Sequence, residues 1–332
     1  MVSPSRIFSR LCFSLGALRP AALRMGWLPG TGAVRLRLRP REFLSLIMTK
    51  ISIIIPTYNS ERYLARCLQS IARQDYPQTE VIVVDGQSSD GTATVVRRFD
   101  KLVTRFISEP DRGQSDAVTK GLQLATGDIL HWHASDDVVA PSAFHRIAEE
   151  FDRHPEIDLV FSDGWAFDEK HLYTTGPCRG LDFWDMLLFS GRFQSDSAYW
   201  RSSITSAGLP LDDSMALTCD EDFFLRIWAG HKAKRVKQQL GAFCIRPGQL
   251  SQSLSTADVG AQRRASRVKV CSKLGITAAR LPYLRVIHFP HFALSMSARA
   301  LERGMRRVWR VLTGDVARRN LELSFFEDWL GS

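Results

Sequence analysis

The sequence predicts an α/β protein built on a mostly parallel sheet flanked by helices, with a helical C-terminal extension. Three observations carry this. Short β-branched runs alternate with helical stretches from Ile51 onward, the runs hold few alternating polar residues, and the first four end in polar turns, three of which contain acids. Strand and helix in alternation are the mark of consecutive βαβ units. Apolar runs without a polar face belong to strands covered on both sides.

The first run is Ile51 to Ile55, followed by a helix over about Glu61 to Arg73 and a strand over Glu80 to Val84. A helix over about Thr92 to Phe99, a strand Arg105 to Ser108, a helix over about Asp116 to Ala125 and a strand Asp128 to His133 come next. Pro141 opens a helix that runs to Arg153, and a strand Asp158 to Ser162 leads into a less regular stretch, Gly164 to about Gly208. A helix over about Asp220 to Ala229 precedes a basic strand-like segment, Lys234 to Ile245. Beyond about Asp258 the residues read as helical, with Arg repeated on the polar face of Ser297 to Leu312. Three regions result: an N-terminal extension over 1–47, a folded domain over 48–250, and a helical C-terminal region over 251–332.

Bulk properties narrow the function. The chain of 332 residues is 45% hydrophobic and 24% charged, an ordinary globular composition. Its formal charge of +9 suggests nucleic acid until its location is examined. Residues 1–47 hold eight Arg, no Lys, no Asp and one Glu, so the remainder of the chain carries only +2. A polyanion-binding face needs basic residues clustered on folded structure, so nucleic acid is not an expected partner. The leader itself, rich in Arg and Ser, fits a cleaved transit peptide. Met48-Thr49-Lys50 directly before the first strand favours the alternative, an upstream extension or a start at Met48. The six cysteines contain no CxxC pair, which predicts reduced thiols in a cytosolic protein. No uncharged apolar run of about 18 residues occurs, which argues against a spanning helix. The C-terminal helices can cover the sheet, pair with a second subunit, or lie on the anionic inner face of a plasma membrane.

Ligands of open parallel sheets bind beyond the carboxyl ends of the strands. There the chain places Pro56-Thr57-Tyr58-Asn59, Asp85-Gly86 through Asp90-Gly91-Thr92, Glu109-Pro110-Asp111-Arg112-Gly113-Gln114-Ser115-Asp116, and Ser135-Asp136-Asp137. Five or more acids on one rim repel one another unless a cation lies among them. Oxygen donors of this kind suit Mg²⁺ or Mn²⁺, which take one or two carboxylates together with substrate phosphates. For Asp90, before Gly91-Thr92, a helix cap is an equally good reading. No GxGxxG follows the first strand and no GxxxxGK[ST] occurs, so neither a dinucleotide fold nor a P-loop is supported.

ISIIIPTYN at 51–59, EVIVVDGQSSDGT at 80–92, EPDRGQSDAVTKGLQLATGDILHW at 109–132 and SDD at 135–137 resemble, in order and spacing, the successive motifs of family 2 glycosyltransferases of the GT-A fold. The resemblance runs over about residues 49–245. It implies that Pro56, Thr57 and Tyr58 lie against the donor's base and ribose, that Asp85 reads the base, and that Asp90, Gln114 and Asp116 also face the nucleotide-sugar. It implies that Asp136 bonds the ribose hydroxyls and Asp137 holds the metal. Where many relatives carry a second Asp this chain has Gly86, and where relatives carry an acid or Asn two places before Asp136 it has Ala134. Cys219-Asp220-Glu221-Asp222 with Arg226 resembles the family's acid motif, which selects Asp220 as the catalytic base. Helix-end stabilisation is the alternative, and it suits Glu221 and Asp222 best.

The implied function is inverting transfer from a nucleotide-diphosphate sugar, a UDP-sugar first, to a saccharide or lipid-linked acceptor in cell-surface polysaccharide or lipopolysaccharide assembly. The missing acid at Ala134 keeps a second reading open, a nucleotide-sugar-binding scaffold at the membrane without catalysis. Nucleotidyl transfer ranks last, for want of a Gly-rich N-terminal loop. His131 and His133 point to one strand face without a third His, which favours a structural pair over a metal site. Trp165, Phe183, Trp184 and Trp200 are candidates for stacking on sugars, with core packing the commoner role.

Overall fold

A computed structural model of the chain describes residues 48–290 apart from 163–164, 169–171, 175–181, 190–194, 207, 209–210, 216–217, 248 and 250–255. It also describes residue 293 and a two-stranded pair, β1 (Arg24–Trp27) antiparallel to β2 (Val34–Arg37). The remaining expectations for residues 1–47 and for the Arg-bearing stretch Ser297 to Leu312 lie outside the described residues.

The predicted alternation is present. β3 (Ile51–Thr57), α1 (Glu61–Ala72), β4 (Thr79–Asp85), α2 (Thr92–Arg98), β5 (Val103–Ser108), α3 (Gln114–Leu124) and β6 (Ile129–Trp132) follow in order. β3 is parallel to β4 and to β6, and β4 is parallel to β5. Every residue of β3 is buried, as a central strand covered on both faces requires. Ile51, Ile53 and Ile55 face one core cluster, where α1 lays down Leu64, Leu68 and Ile71 at helical spacing, while Ile54 faces a second cluster with Val118 of α3. A buried aliphatic side chain of this kind contributes roughly 1.5–3 kcal/mol, so the two faces together hold the strand in register.

β7 (Val138–Val139), α4 (Ala143–Arg153), β8 (Leu159–Ser162), β9 (Trp165–Phe167), β10 (Leu172–Thr174), α5 (Phe183–Phe189), β11 (Ala198–Arg201), α6 (Ser202–Ser206), α7 (Cys219–Trp228), β12 (Ala233–Val236), β13 (Gly241–Cys244) and α8 (Thr256–Lys273) complete the chain. The main sheet has seven strands in the order β12-β8-β11-β6-β3-β4-β5. All are parallel except β11, which inserts antiparallel between β6 and β8. A second sheet, ordered β10-β9-β13-β7, stands beside it.

Two features depart from the sequence reading. The segment read as one strand from Lys234 to Ile245 is two, β12 in the main sheet and β13 in the small one, divided at Leu240. The stretch read as irregular contains β9, β10 and β11, each of three or four residues, too short for a period-two pattern to register.

Candidate active site

The carboxyl ends of β3, β4 and β6, the start of α3, the start of α7 and the end of β13 enclose a cleft of ≈ 670 Å³. It brings together Pro56, Thr57, Tyr58, Gln114, Asp136, Asp137 and Asp220, from four separate parts of the chain. Thr57 Oγ1 is buried there with no hydrogen-bond partner. α3 begins two residues earlier than expected, after Gly113 at φ 109°, and this puts Gln114 in its first turn at the cleft edge.

Asp85, Asp90 and Asp116 are not among the lining residues. Asp85 is buried, and its two oxygens accept from the Ser88 amide at 3.0 Å, the Ser88 hydroxyl and the Ser108 hydroxyl at 2.6 Å. Asp90 ties two helix starts together. It accepts the Glu61 amide at 3.0 Å and the Thr92 amide at 3.0 Å, while the Glu61 carboxylate accepts the Gly91 amide at 3.0 Å. Asp116 faces Arg112 at 3.0 Å and Lys120 at 3.5 Å, and the bond from Arg112 holds its carboxyl below the usual range. Glu109 pairs with Lys120 at 2.8 Å. The expected convergence of five acids is therefore reduced to Asp111, Asp136 and Asp137 from those loops, joined by Asp220. Nearby serines, amides and basic side chains engage the others.

The carboxylates that remain have fewer compensating partners. Asp137 is buried and accepts the Cys244 amide at 2.8 Å. Its carboxyl is pushed well above the usual range, by burial first and then by the like charges of Asp136 and Asp196. Asp136 is bridged by Arg246, Nε to Oδ2 at 2.5 Å, and the Arg246 guanidinium lies over the Tyr63 ring at 4.7 Å. Asp196, in a helical turn Ser195–Ser197 just before β11, is buried, has one oxygen without a partner, and is pushed up to about 7 by burial, with Asp220 adding to the effect. Asp220 is the second residue of α7, and its Oδ1 accepts the Glu221 amide at 2.8 Å. Its neighbours face elsewhere: Glu221 grips Arg263 through two bonds and Asp222 binds Arg226 at 2.7 Å. These are the helix-end acids anticipated as structural.

Asp111 is expected only as one of the rim acids, and Asp196, Arg246, Trp132 and Phe243 have no role in the sequence reading. Asp111 lines the cleft directly over Gly86, where an added Cβ would lie 2.6 Å from Asp111 Oδ2. The space a side chain at position 86 would take is thus filled by a carboxylate from the next loop. Gly241 has a similar constraint, since a Cβ there would lie 2.4 Å from the Asp196 carbonyl oxygen. Arg246 follows β13 by two residues, so the strand-end rule would have found it had β13 been separated from β12.

None of Trp165, Phe183, Trp184 and Trp200 lines the cleft. Trp200 is fully buried against Phe223 and Phe224 at 5.2 and 5.6 Å, and Trp184 stacks on His288 at 4.7 Å. His131 and His133 are buried and joined Nε2 to Nδ1 at 3.0 Å, with His131 Nδ1 donating to the Ala198 carbonyl at 2.8 Å. Burial pushes both below the usual imidazole value, His133 to about 4, so they form a neutral core pair. Among the described residues no group of three or more His, Cys, Asp or Glu is arranged to hold an ion by protein ligands alone. Cys67, Cys219, Cys244 and Cys271 are free and buried.

A largely parallel sheet with helices on its faces and a second small sheet beside it are those of the GT-A fold. Residues 52–205 match the family described as glycosyl transferase family 2. The PGL/p-HBAD biosynthesis glycosyltransferase of Mycobacterium tuberculosis is 35% identical over 153 residues, 42% of this chain and 60% of that protein. YwdF of Bacillus subtilis is 29% identical over 235 residues, 68% of this chain and 85% of that protein. The match thus spans about 60% of the length of the mycobacterial relative. Among solved structures, S. aureus TarS in complex with UDP-GlcNAc superimposes with a TM-score of 0.56 at 20% identity, covering 67% of this chain and 66% of that one. The mannosyltransferase PcManGT of Pyrobaculum calidifontis, solved with GDP-Man and Mn²⁺, gives 0.50 at 17% identity, covering 98% and 93%. At these identities the likeness is one of fold.

Proposed function

We propose that the chain is a metal-dependent, inverting glycosyltransferase. It would move a sugar from a nucleotide-diphosphate donor, a UDP-sugar before others, to a hydroxyl of a saccharide or lipid-linked acceptor in cell-surface polysaccharide or lipopolysaccharide assembly. The observation that carries this reading is that Asp137 and Asp220 line one cleft together with Thr57, Tyr58 and Asp136. Mycobacterial and Bacillus relatives named as glycosyltransferases support it.

The residues fit a divalent ion. Asp137 is a buried carboxylate raised by its acidic neighbours, a state that a nearby cation relieves, and the lack of a three-ligand cluster suits an ion that takes one or two carboxylates plus substrate phosphates. Asp137, with Asp136 beside it, would hold Mg²⁺ or Mn²⁺, which when bound neutralises charge on the departing diphosphate. On the chain's side, Thr57 Oγ1 and Tyr58, which line the cleft, would meet the nucleoside, and Gln114 and Asp111 the donor's edge. Asp136 would exchange its bond from Arg246 for the ribose hydroxyls, freeing the guanidinium for the diphosphate. Asp220 would accept the acceptor's hydroxyl proton as that oxygen attacks the anomeric carbon and the bond from that carbon to the phosphate oxygen breaks on the opposite face. Asp85, Asp90 and Asp116 act in this scheme by fixing the loops on which the contacts stand.

The decisive experiment is a screen of nucleotide-sugars with Mn²⁺, scored by mass spectrometry for donor consumption. Consumption of one donor, abolished by chelation, is expected. A second reading, a nucleotide-sugar-binding scaffold at the membrane without catalysis, is favoured by one observation, Ala134 standing where relatives carry an acid or Asn. Calorimetric donor binding without turnover on any acceptor pool selects it.

A further inference from the structure

We infer that the outer face of the helix over residues 281–290 docks on an anionic lipid surface. Four large apolar side chains stand out from it within seven residues: Tyr283 at 68% exposure, Val286 at 72%, Ile287 at 50% and Phe289 at 56%. Tyr283, Val286 and Ile287 are spaced i, i+3, i+4 and so form one stripe. The opposite side of the same helix is already used. Leu281 and Leu284 pack on the second core cluster and His288 stacks on Trp184 of α5. The helix is thus apolar on two faces, with only one of them covered by the described residues, and an outward apolar stripe on a folded body marks a contact surface.

Charge selects the occupant. Residues 256–290 carry seven Lys or Arg against one acid, whereas residues 48–255 carry 22 against 28. Arg280 and Arg285 flank the stripe and are exposed, as are Arg264 and Lys273 of α8. Arg285 lies close enough to Arg267 of α8 for the two charges to repel, while Arg263 and Lys269 of α8 are paired with Glu221 and Asp212. A second copy presenting the same basic surface would be repelled across a two-fold interface. An acidic leaflet answers both features, because phosphate headgroups take the Arg and Lys side chains while Tyr283, Val286 and Ile287 enter the acyl boundary, with Phe289 beside Phe189 at their edge. Among the described residues no helix is long and apolar enough to cross a membrane.

The test is co-sedimentation of the full chain with vesicles of phosphatidylcholine alone or with about one third phosphatidylglycerol, no nucleotide being present. Binding to the anionic vesicles, weakened by salt and absent from neutral ones, is expected. The pair Val286→Ser and Ile287→Ser should lower it about tenfold or more. Arg280→Gln and Arg285→Gln should each lower it about fivefold. Thermal melting within a few degrees of the parent separates these effects from misfolding, and the exposed Arg pair serves where the apolar pair does not fold. Failure to sediment with anionic vesicles, equal binding to neutral ones, or unchanged binding by both sets of variants overturns the assignment. So does a dimer that the Val286 and Ile287 changes dissociate, or capture of an acidic protein with no affinity for vesicles. Vesicle binding requires no turnover, so a chain that sediments but consumes no nucleotide-sugar keeps this assignment and loses the enzymatic one.

Discussion

The two walls of the cleft are built on opposite electrostatic plans. On the wall formed after β3 and β4, polar groups satisfy one another: Asp85 with Ser88 and Ser108, Asp90 with Thr92 and the Glu61 amide, Asn59 with the amide and hydroxyl of Ser89. On the wall formed after β6 and before β11, Asp137 and Asp196 are buried close to other acids, and one oxygen of Asp196 has no partner at all. The carboxylates of the first wall are held by these bonds, and Thr57 Oγ1 alone among the groups named on it lacks a partner. The second holds negative charge that only a proton or a cation can discharge, a cost to folding that makes sense where charge is handled. Substitutions on the first wall should therefore register as stability, and on the second as activity.

The largest effect is expected for Asp137→Asn: loss of about a thousandfold in kcat/KM with loss of Mn²⁺ binding by calorimetry. In metal-free buffer the same variant should melt no lower than the parent, since a buried like charge has gone; a fall of several degrees would erase the contrast between the walls. Asp220→Asn should lower kcat about a hundredfold while leaving calorimetric donor affinity within about twofold. A loss under tenfold removes Asp220 as the base.

Asp196→Asn sharpens the comparison through pH. Its folded value near 7 lies above the ordinary carboxylate value of 3.8, so folding takes up a proton between these limits. The parent should lose stability as pH rises from about 4 to 7, and the variant should gain on it by about 1–3 kcal/mol over that window in chelator. Urea midpoints at pH 5 and 8 read the difference. Asp85→Ala, on the satisfied wall, strands the Ser88 and Ser108 donors and should cost about 1–2 kcal/mol of stability by the same measurement. Arg246→Gln, the smallest, should weaken donor binding about fivefold by calorimetry without shifting the melt.

The difference between the walls also explains what the sequence disclosed. β3 to β6 run parallel, so their C-terminal turns all fall on one rim, and Thr57, Gln114, Asp136 and Asp137 could be placed there from strand order alone. β11 runs the other way. The residues before an antiparallel strand, not those after it, reach the rim of its parallel neighbours, and so Asp196 is passed over when strand ends are searched. Which carboxylates turn into the cleft was not legible either. Asp85 and Asp111 sit in similar polar turns, and the outcome was set by where Ser88 and Ser108 lie and by the lack of a side chain at Gly86, whose place the Asp111 carboxylate takes.

Gly241 and Gly230 stand eleven positions apart and face opposite fates under mutation. Around Gly230 no atom lies within 4 Å of an added Cβ, so a saturation library should accept most residues there. At Gly241 the obstacle is the main-chain carbonyl of Asp196, which cannot rotate aside as a side chain would. Even alanine must push β13 away from the turn that carries Asp196, and Cys244, whose amide holds Asp137, moves with that strand. The absence of one methyl group thereby governs how two distant carboxylates are spaced, and any effort to retune this cleft by directed evolution should leave position 241 untouched.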